Sequence, residues 1–229
     1  MENLCVIVII ILTLVLLKFV LKISLKKAKS LNENKKLEGL TDRFPENIEI
    51  AKEMLEMINN KDVTIEQAKD TNTSLYIVVT NKILIADLKN NYARIQTIAH
   101  ECLHSIQDKT LLLFNFIFSN ISILYFIIIS ILTGFGVIKN TMLQIFILTI
   151  LVLIKLLVRG YLEIEAMTKA KYLSEEYINK KKLLSQNEKE ELLNQYEEIN
   201  KQGIPFSLFY VLSNSFLGII IYAIVSYIV

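Results

Sequence analysis

The stretch AHECLH contains the only two histidines of the 229-residue chain, His100 and His104. Residues four apart lie on one face of an α-helix, so both imidazoles can bind one metal ion. Zinc accepts two such nitrogens, and Glu101 on an adjacent part of the helix can reach a metal-bound water without binding the metal itself. The H-E-x-x-H spacing therefore predicts a zinc site in which Glu101 acts as the general base of a hydrolytic reaction.

The alternative reading of this motif is two packing or surface histidines beside a solvated carboxylate. Residues 91–108 have helical periodicity, and Ile98, Leu103 and Ile106 give this helix an apolar flank. Chance would rarely place the only two histidines four residues apart with a glutamate directly after the first. We therefore favour the metal site.

A zinc site that keeps one position for water needs a third protein ligand, and no histidine remains to supply it. His104 lies seven residues before the apolar stretch 111–133, and Glu163 lies five residues after the apolar stretch 142–158. If both stretches are antiparallel membrane helices, a rise of about 1.5 Å per residue puts His104 and Glu163 roughly 10 and 8 Å outside the same membrane face. Glu163 is therefore at a suitable height to complete the site.

Glu165 is the competing carboxylate for the third ligand position. It points about 200° away from Glu163, because each residue of a helix turns by about 100°. Ala166 and Ala170 lie on or near the Glu163 side and would let two helices approach closely. We favour Glu163, and the remaining alternative is that both carboxylates only cap or solvate the start of a helix.

The elements that must position these residues include four apolar stretches, and 53% of all residues are hydrophobic. About 18 apolar residues with few charges can cross a bilayer as a helix. Lysines follow the first and third stretches, whereas the loop 134–141 holds only Lys139. By the positive-inside rule, this bias predicts a multi-pass protein of the cell membrane with its polar segments in the cytoplasm and both termini outside. The four stretches are residues 4–25, 111–133, 142–158 and 206–229.

The polar residues form two separate segments, and both have a predicted internal structure. In the first, helical periodicity predicts a helix over about residues 45–59, and SLYIVVTNKILIAD predicts two short strands. In the second, a long amphipathic helix precedes another helix that begins at a Ser185–Glu188 capping box, and Gly203 and Pro205 are expected to break the chain. The predicted organisation is a membrane anchor at 1–25, a cytoplasmic segment at 26–110 with H-E-x-x-H, a transmembrane hairpin at 111–158, a cytoplasmic helical segment at 159–205 with the third ligand, and a transmembrane helix at 206–229.

Together, HECLH and EIEA resemble the glutamate-zincin pattern of H-E-x-x-H on one helix and E-x-x-A on a later one. The order of elements resembles that of the bacterial YugP-like neutral zinc metallopeptidases of the membrane. AHECLHSIQ is similar to the A-H-E-x-x-H-A-x-Q stretch of that family, and EIEAM is similar to its E-F-D-A-S stretch. Met167 departs from the family, which usually has serine or aspartate there, and this leaves the residues that orient the zinc ligands unassigned.

This resemblance implies a mainly α membrane protein in which four transmembrane helices accompany a small zincin-like α+β cytoplasmic unit built from two segments. It also implies Zn²⁺ bound by His100, His104 and Glu163, with Glu101 as the catalytic base. The expected partners are a peptide or protein substrate, which can itself be membrane-associated, and the lipid bilayer.

Several features of the sequence argue against other functional classes. It contains no phosphate-binding glycine loop and no nucleic-acid motif, so we expect no nucleic-acid partner. Cys5 and Cys102 are expected to be packing residues, because a reducing cytoplasm does not favour a disulfide.

A catalytically inactive zincin-fold scaffold or sensor is the alternative function. The intact Glu101 argues against it, whereas Met167 leaves it open.

Overall fold

The computed structural model describes residues 2–24, 34–68, 73–88 and 91–228. Over these ranges the protein is mostly helical, with seven helices and one three-stranded sheet. The helices are α1 (Glu2–Val20), α2 (Lys35–Thr41), α3 (Asn47–Met57), α4 (Arg94–His104), α5 (Lys109–Gly134), α6 (Thr141–Lys181) and α7 (Gln186–Ile228). The strands are β1 (Thr64–Gln67), β2 (Leu75–Ile77) and β3 (Lys82–Ile85).

The helices α1, α5, α6 and α7 are each long and apolar enough to cross a membrane. One compact unit consists of residues 1–23, 114–161 and 205–229. Its small core includes Ile129, Leu148 and Ile219, while many other large apolar side chains are exposed. Exposed apolar surface on this scale is typical of a site that contacts a membrane or another protein. The four helices are therefore compatible with a multi-pass membrane protein.

The second compact unit consists of residues 24–113 and 162–204 and has a separate hydrophobic core. The buried Arg94 at the start of α4 donates hydrogen bonds to the carbonyl oxygens of Thr41 and Phe44 and to Oδ1 of Asn47, at 2.8–2.9 Å. These bonds tie α4 to α2 and α3. The core of this unit includes Leu37, Ile50, Met54, Ile83, Ile95, Ile98, Cys102, Ala170, Tyr177 and Tyr196.

The sheet of the second unit has the strand order β1-β3-β2. The two strands predicted over residues 75–87 are confirmed as β2 and β3, which pair antiparallel. β1 was not predicted, because its sequence TIEQ has only one apolar residue, and it forms by parallel pairing with β3. Ile83 and Ile85 of the central strand are fully buried. β2 is an edge strand of this sheet.

The predicted chain break at Gly203 and Pro205 is wrong, because α7 continues through both residues. A Cβ atom at Gly203 would lie 2.7 Å from Cε of Met167, so the glycine provides close packing rather than a helix end. Pro205 removes one backbone hydrogen bond, which a helix packed on both sides of the proline can tolerate. The predicted capping box is formed at the start of α7, where the Ser185 N–H donates to Oε2 of Glu188 at 2.8 Å.

Candidate metal centre

Both histidines of H-E-x-x-H lie on α4, whose opposite face packs into the core through Ile95, Ile98 and Cys102. This packing fixes the rotation of the helix and turns both imidazoles the same way. Nε2 of His100 and Nε2 of His104 are 3.0 Å apart, and the two side chains are 18% and 12% exposed. The i, i+4 spacing thus places two potential ligand atoms next to each other.

The structure places Glu163 of α6 beside the two histidines. Its Oε2 lies 3.5 Å from Nε2 of His100 and 3.9 Å from Nε2 of His104. Two ligands bound tetrahedrally at about 2.0–2.1 Å from one zinc ion would be about 3.3 Å apart. The three observed separations bracket this value, so shifts of a few tenths of an ångström would let these side chains hold one ion. Two imidazole nitrogens and a carboxylate oxygen also form a ligand set that catalytic zinc sites use.

Gln107, just after the end of α4, orients His104. Its Nε2 donates to the carbonyl oxygen of Leu162 at 2.8 Å and to Oε2 of Glu165 at 2.9 Å. The Gln107 Oε1 must therefore be the acceptor in its 2.7 Å contact with Nδ1 of His104. Nδ1 of His104 therefore carries the proton, and in this tautomer Nε2 is an acceptor that lies 3.0 Å from Nε2 of His100.

Glu165 contributes to the site through Gln107 rather than through the histidines. One of its carboxylate oxygens accepts from Gln107, and the other pairs with Nζ of Lys169 at 2.6 Å. Sequence reasoning treated Glu165 only as a competitor for the ligand position and missed Gln107. The available signal was the last residue of AHECLHSIQ, three positions after His104.

Glu101 is the most buried carboxylate of the centre, at 6% exposure. Burial raises the pKa of its carboxyl to about 7, and the negative charge of Glu163 also raises it. His100 and a hydrogen bond from the backbone N–H of Tyr76 in β2 act in the opposite direction. Since β2 is an edge strand of the described sheet, this contact joins that edge of the sheet to Glu101.

The electrostatic environment of the centre favours positive charge. Burial lowers the pKa of His100, but a hydrogen bond to Glu163 and the carboxylates of Glu101 and Glu163 raise it further, and the net change is upward. The buried Glu101 and the partly exposed Glu163 thus favour a negative potential where the ligand atoms converge. Such a potential stabilises a bound cation.

A cavity of about 210 Å³ adjoins His100 and Glu163 and is lined by α4, α6 and α7. Met167 forms part of its apolar wall, and the backbone oxygen of Met167 accepts a 2.9 Å hydrogen bond from Nδ2 of Asn200. Nε2 of Gln96 in turn donates to Oδ1 of Asn200 at 2.9 Å. Met167 therefore contributes to the shape of the cavity. Gln107, which donates to Glu165, orients His104.

In the described ranges, His100, His104 and Glu163 are the one group of His, Cys, Asp and Glu side chains positioned to share an ion. Together with Glu101, these three residues give the centre four titratable groups. They come from two helices that are far apart in the sequence. No family model, no curated protein and no solved structure matches this chain.

Proposed function

We propose that this protein is a membrane-embedded zinc metallopeptidase that hydrolyses peptide bonds at the cytoplasmic face of the membrane, as its resemblance to the YugP-like peptidases implies. The supporting observation is the convergence of His100, His104 and Glu163 within 4.8 Å of one another, with Glu101 on the same helix as both histidines. His100, His104 and Glu163 would hold the metal. Bound zinc would polarise the substrate carbonyl and lower the pKa of a bound water toward about 7.

Glu101 is the group that moves the proton in this proposal. Its carboxylate takes a proton from the attacking water and later gives it to the nitrogen of the leaving amine. A general base works best with a pKa near the working pH, because it must both accept and return the proton. The burial that raises the pKa of Glu101 to about 7 supports this role.

The surroundings of the centre suit a peptide substrate. In the part of the chain that the structure describes, β2 is an edge strand that contacts Glu101, and an extended peptide can add to such an edge through backbone hydrogen bonds. The adjoining cavity of about 210 Å³ is smaller than the roughly 300–1,000 Å³ typical of small-molecule pockets. It is suited to a single substrate side chain, while the rest of the peptide stays on the surface.

The main test is the variant Glu101→Gln in full-length protein purified in detergent. A peptide library digested with wild-type protein and analysed by mass spectrometry would first define a cleavable sequence. Glu101→Gln should then keep about one zinc per chain and lose at least about 100-fold in cleavage rate, because an amide fills the space but cannot accept the proton. Cleavage by this variant at the wild-type rate would contradict Glu101 as the base.

The same measurements separate the peptidase from a catalytically inactive scaffold or sensor. A scaffold would bind zinc but cleave no member of the library, whether or not Glu101 is intact. The sequence argument for the scaffold was the absence of a polar residue at Met167. In the structure Gln107 contacts His104 at 2.7 Å, which supplies a polar orienting residue from another position.

A further inference from the structure

The apolar unit contains a second cavity, which has no residue in common with the metal centre. Its volume is about 320 Å³, and it lies among α5, α6 and α7. Most of its walls are apolar, with Phe126, Leu148, Val152 and Ile219 among the lining side chains. This size and composition resemble the lower end of the range for ligand pockets, which are mostly apolar with a few polar groups.

Contacts between side chains define the directions of the three helices around this cavity. α5 and α6 are joined by six residues, and the Tyr125 hydroxyl of α5 donates to Oε1 of Gln144 near the start of α6 at 2.5 Å. The cavity brings Ser122, earlier on α5, together with Lys155, later on α6, so the two helices are antiparallel.

α7 runs in the same direction as α5. Phe126 of α5 lies next to Gly218 of α7, where a Cβ atom would be 3.9 Å from Cε2 of the phenylalanine. Further along both helices, Oγ1 of Thr133 and the Tyr222 hydroxyl are 2.9 Å apart. These directions allow the lining residues of all three helices to be ordered along the cavity.

The polar lining residues all come from one end of the cavity. On α5, Ser122 comes before the apolar lining residues, whereas on α6, Lys155 comes after them. On α7, Asn214 and Ser215 again come first. With α6 antiparallel to the other two helices, this order places every polar group at the same end. The lysine bias of the sequence predicts that this end faces the cytoplasm. The polar lining residues are Ser122, Lys155, Asn214 and Ser215.

Lys155 is the charged group of this polar end. It is partly buried, and it makes no hydrogen bond or salt bridge with any residue in the ranges that the structure describes. Charged side chains inside membrane segments are costly unless they have a partner, and this lysine faces an apolar space that protein atoms do not fill.

The remaining polar groups show which ligand atoms fit. The hydroxyls of Ser122 and Ser215 already donate to the carbonyl oxygens of Phe118 and Val211. Within the described ranges, the Lys155 ammonium and the Asn214 amide donate no hydrogen bond to the protein, and both suit an anionic oxygen. An apolar cavity with cationic donors at one end is complementary to an amphipathic anion.

We propose that this cavity binds one acyl chain of an anionic phospholipid whose phosphate group lies at the Lys155 end. Anionic lipids are enriched in the cytoplasmic leaflet, and basic pockets between membrane helices on that side bind their head groups. The apolar part of the cavity takes the chain, and Lys155 and Asn214 bind the phosphate oxygens. The site is independent of the metal centre and of any peptidase activity.

The test uses full-length protein in detergent, incubated with equal amounts of phosphatidylglycerol and phosphatidylcholine that carry the same acyl chains. Native mass spectrometry then measures the retained lipid per chain. Wild-type protein should retain one phosphatidylglycerol in about fivefold preference over phosphatidylcholine, a ratio typical of one basic residue near an anionic lipid surface. Lys155→Gln should lower this ratio to about one, while Lys139→Gln, in the exposed loop between α5 and α6, should leave it unchanged.

A variant that fills the cavity tests the location of the acyl chain. Gly218→Leu should abolish retention of both lipids, because its side chain enters the space next to Phe126. If Gly218→Leu does not fold, Leu151→Phe fills the same cavity from α6. Equal retention of the two lipids by wild-type protein, or an unchanged ratio in Lys155→Gln, would overturn the proposed head-group site. Wild-type retention by a folded cavity-filling variant would overturn the proposed location.

Discussion

The hydrogen-bond network of Gln107 leads to a prediction about zinc binding that the sequence alone does not make. Gln107→Ala removes the acceptor from Nδ1 of His104 and the donor to Glu165 and the Leu162 carbonyl. The imidazole of His104 then loses its fixed tautomer and part of its orientation. Nothing in the ligand set itself changes, so the variant isolates the contribution of the surrounding hydrogen bonds.

Loss of a residue that orients a metal-ligating histidine typically costs 10- to 100-fold in metal affinity. We expect a loss in this range for Gln107→Ala, which corresponds to about 1.4–2.7 kcal/mol of binding free energy. The three hydrogen bonds of Gln107 are 2.7–2.9 Å long and connect partly buried groups, which favours the upper part of the range. The assay is competition for zinc against a fluorescent chelator in detergent-solubilised protein.

The matched control for this experiment is Lys169→Gln. It breaks the 2.6 Å pair with Glu165, but Lys169 is largely exposed and does not contact Gln107. An exposed pair of this kind contributes about 0–1 kcal/mol, so zinc affinity should change by less than about fivefold. Equal affinities of wild-type protein and Gln107→Ala would refute the inference that Gln107 fixes the tautomer of His104, as would an equal loss in the two variants.

Three further outcomes follow from the fold and the site. Glu163→Ala should weaken zinc binding more than Glu165→Ala in the same competition assay, because Glu165 acts only through Gln107; the opposite ranking would make Glu165 the ligand. Single-cysteine labelling in intact cells should leave Lys61→Cys unmodified by an impermeant reagent and modify Asn140→Cys, and the reverse pattern would invert the topology. Arg94→Ala should lower the free energy of unfolding by about 3 kcal/mol in thermal denaturation, since it removes the donor of three buried hydrogen bonds; an unchanged melting temperature would show that water replaces the guanidinium.

Features that depend on local periodicity could be predicted from the sequence. Long apolar stretches predicted four helices able to cross a membrane, and the described ranges contain four such helices. The i, i+4 spacing of His100 and His104 also fixes their shared face, because both belong to one helical turn. The Ser185–Glu188 capping box depends on residues three apart and formed as predicted.

Features that depend on contacts between distant segments were decided by tertiary structure. β1 has almost no strand signal of its own and exists because β3 offers it a parallel partner. Gly203 and Pro205 are typical of a helix end in the sequence, yet Gly203 packs against Met167 inside a continuous helix. A sequence pattern records the preference of a segment, whereas packing against other segments can outweigh that preference.

Both local spacing and tertiary packing determine the geometry of the candidate metal centre. Sequence spacing predicted that His100, Glu101 and His104 share one helix. For the third ligand it left Glu163 and Glu165 as alternatives, which differ in their direction around another helix. Tertiary packing of α6 against α4 put Oε2 of Glu163 3.5 Å from His100 and directed Glu165 to Gln107 instead. Helical geometry is set within a few residues, whereas the approach of two helices about 60 residues apart depends on the whole core that holds them, and only the folded chain specifies that core.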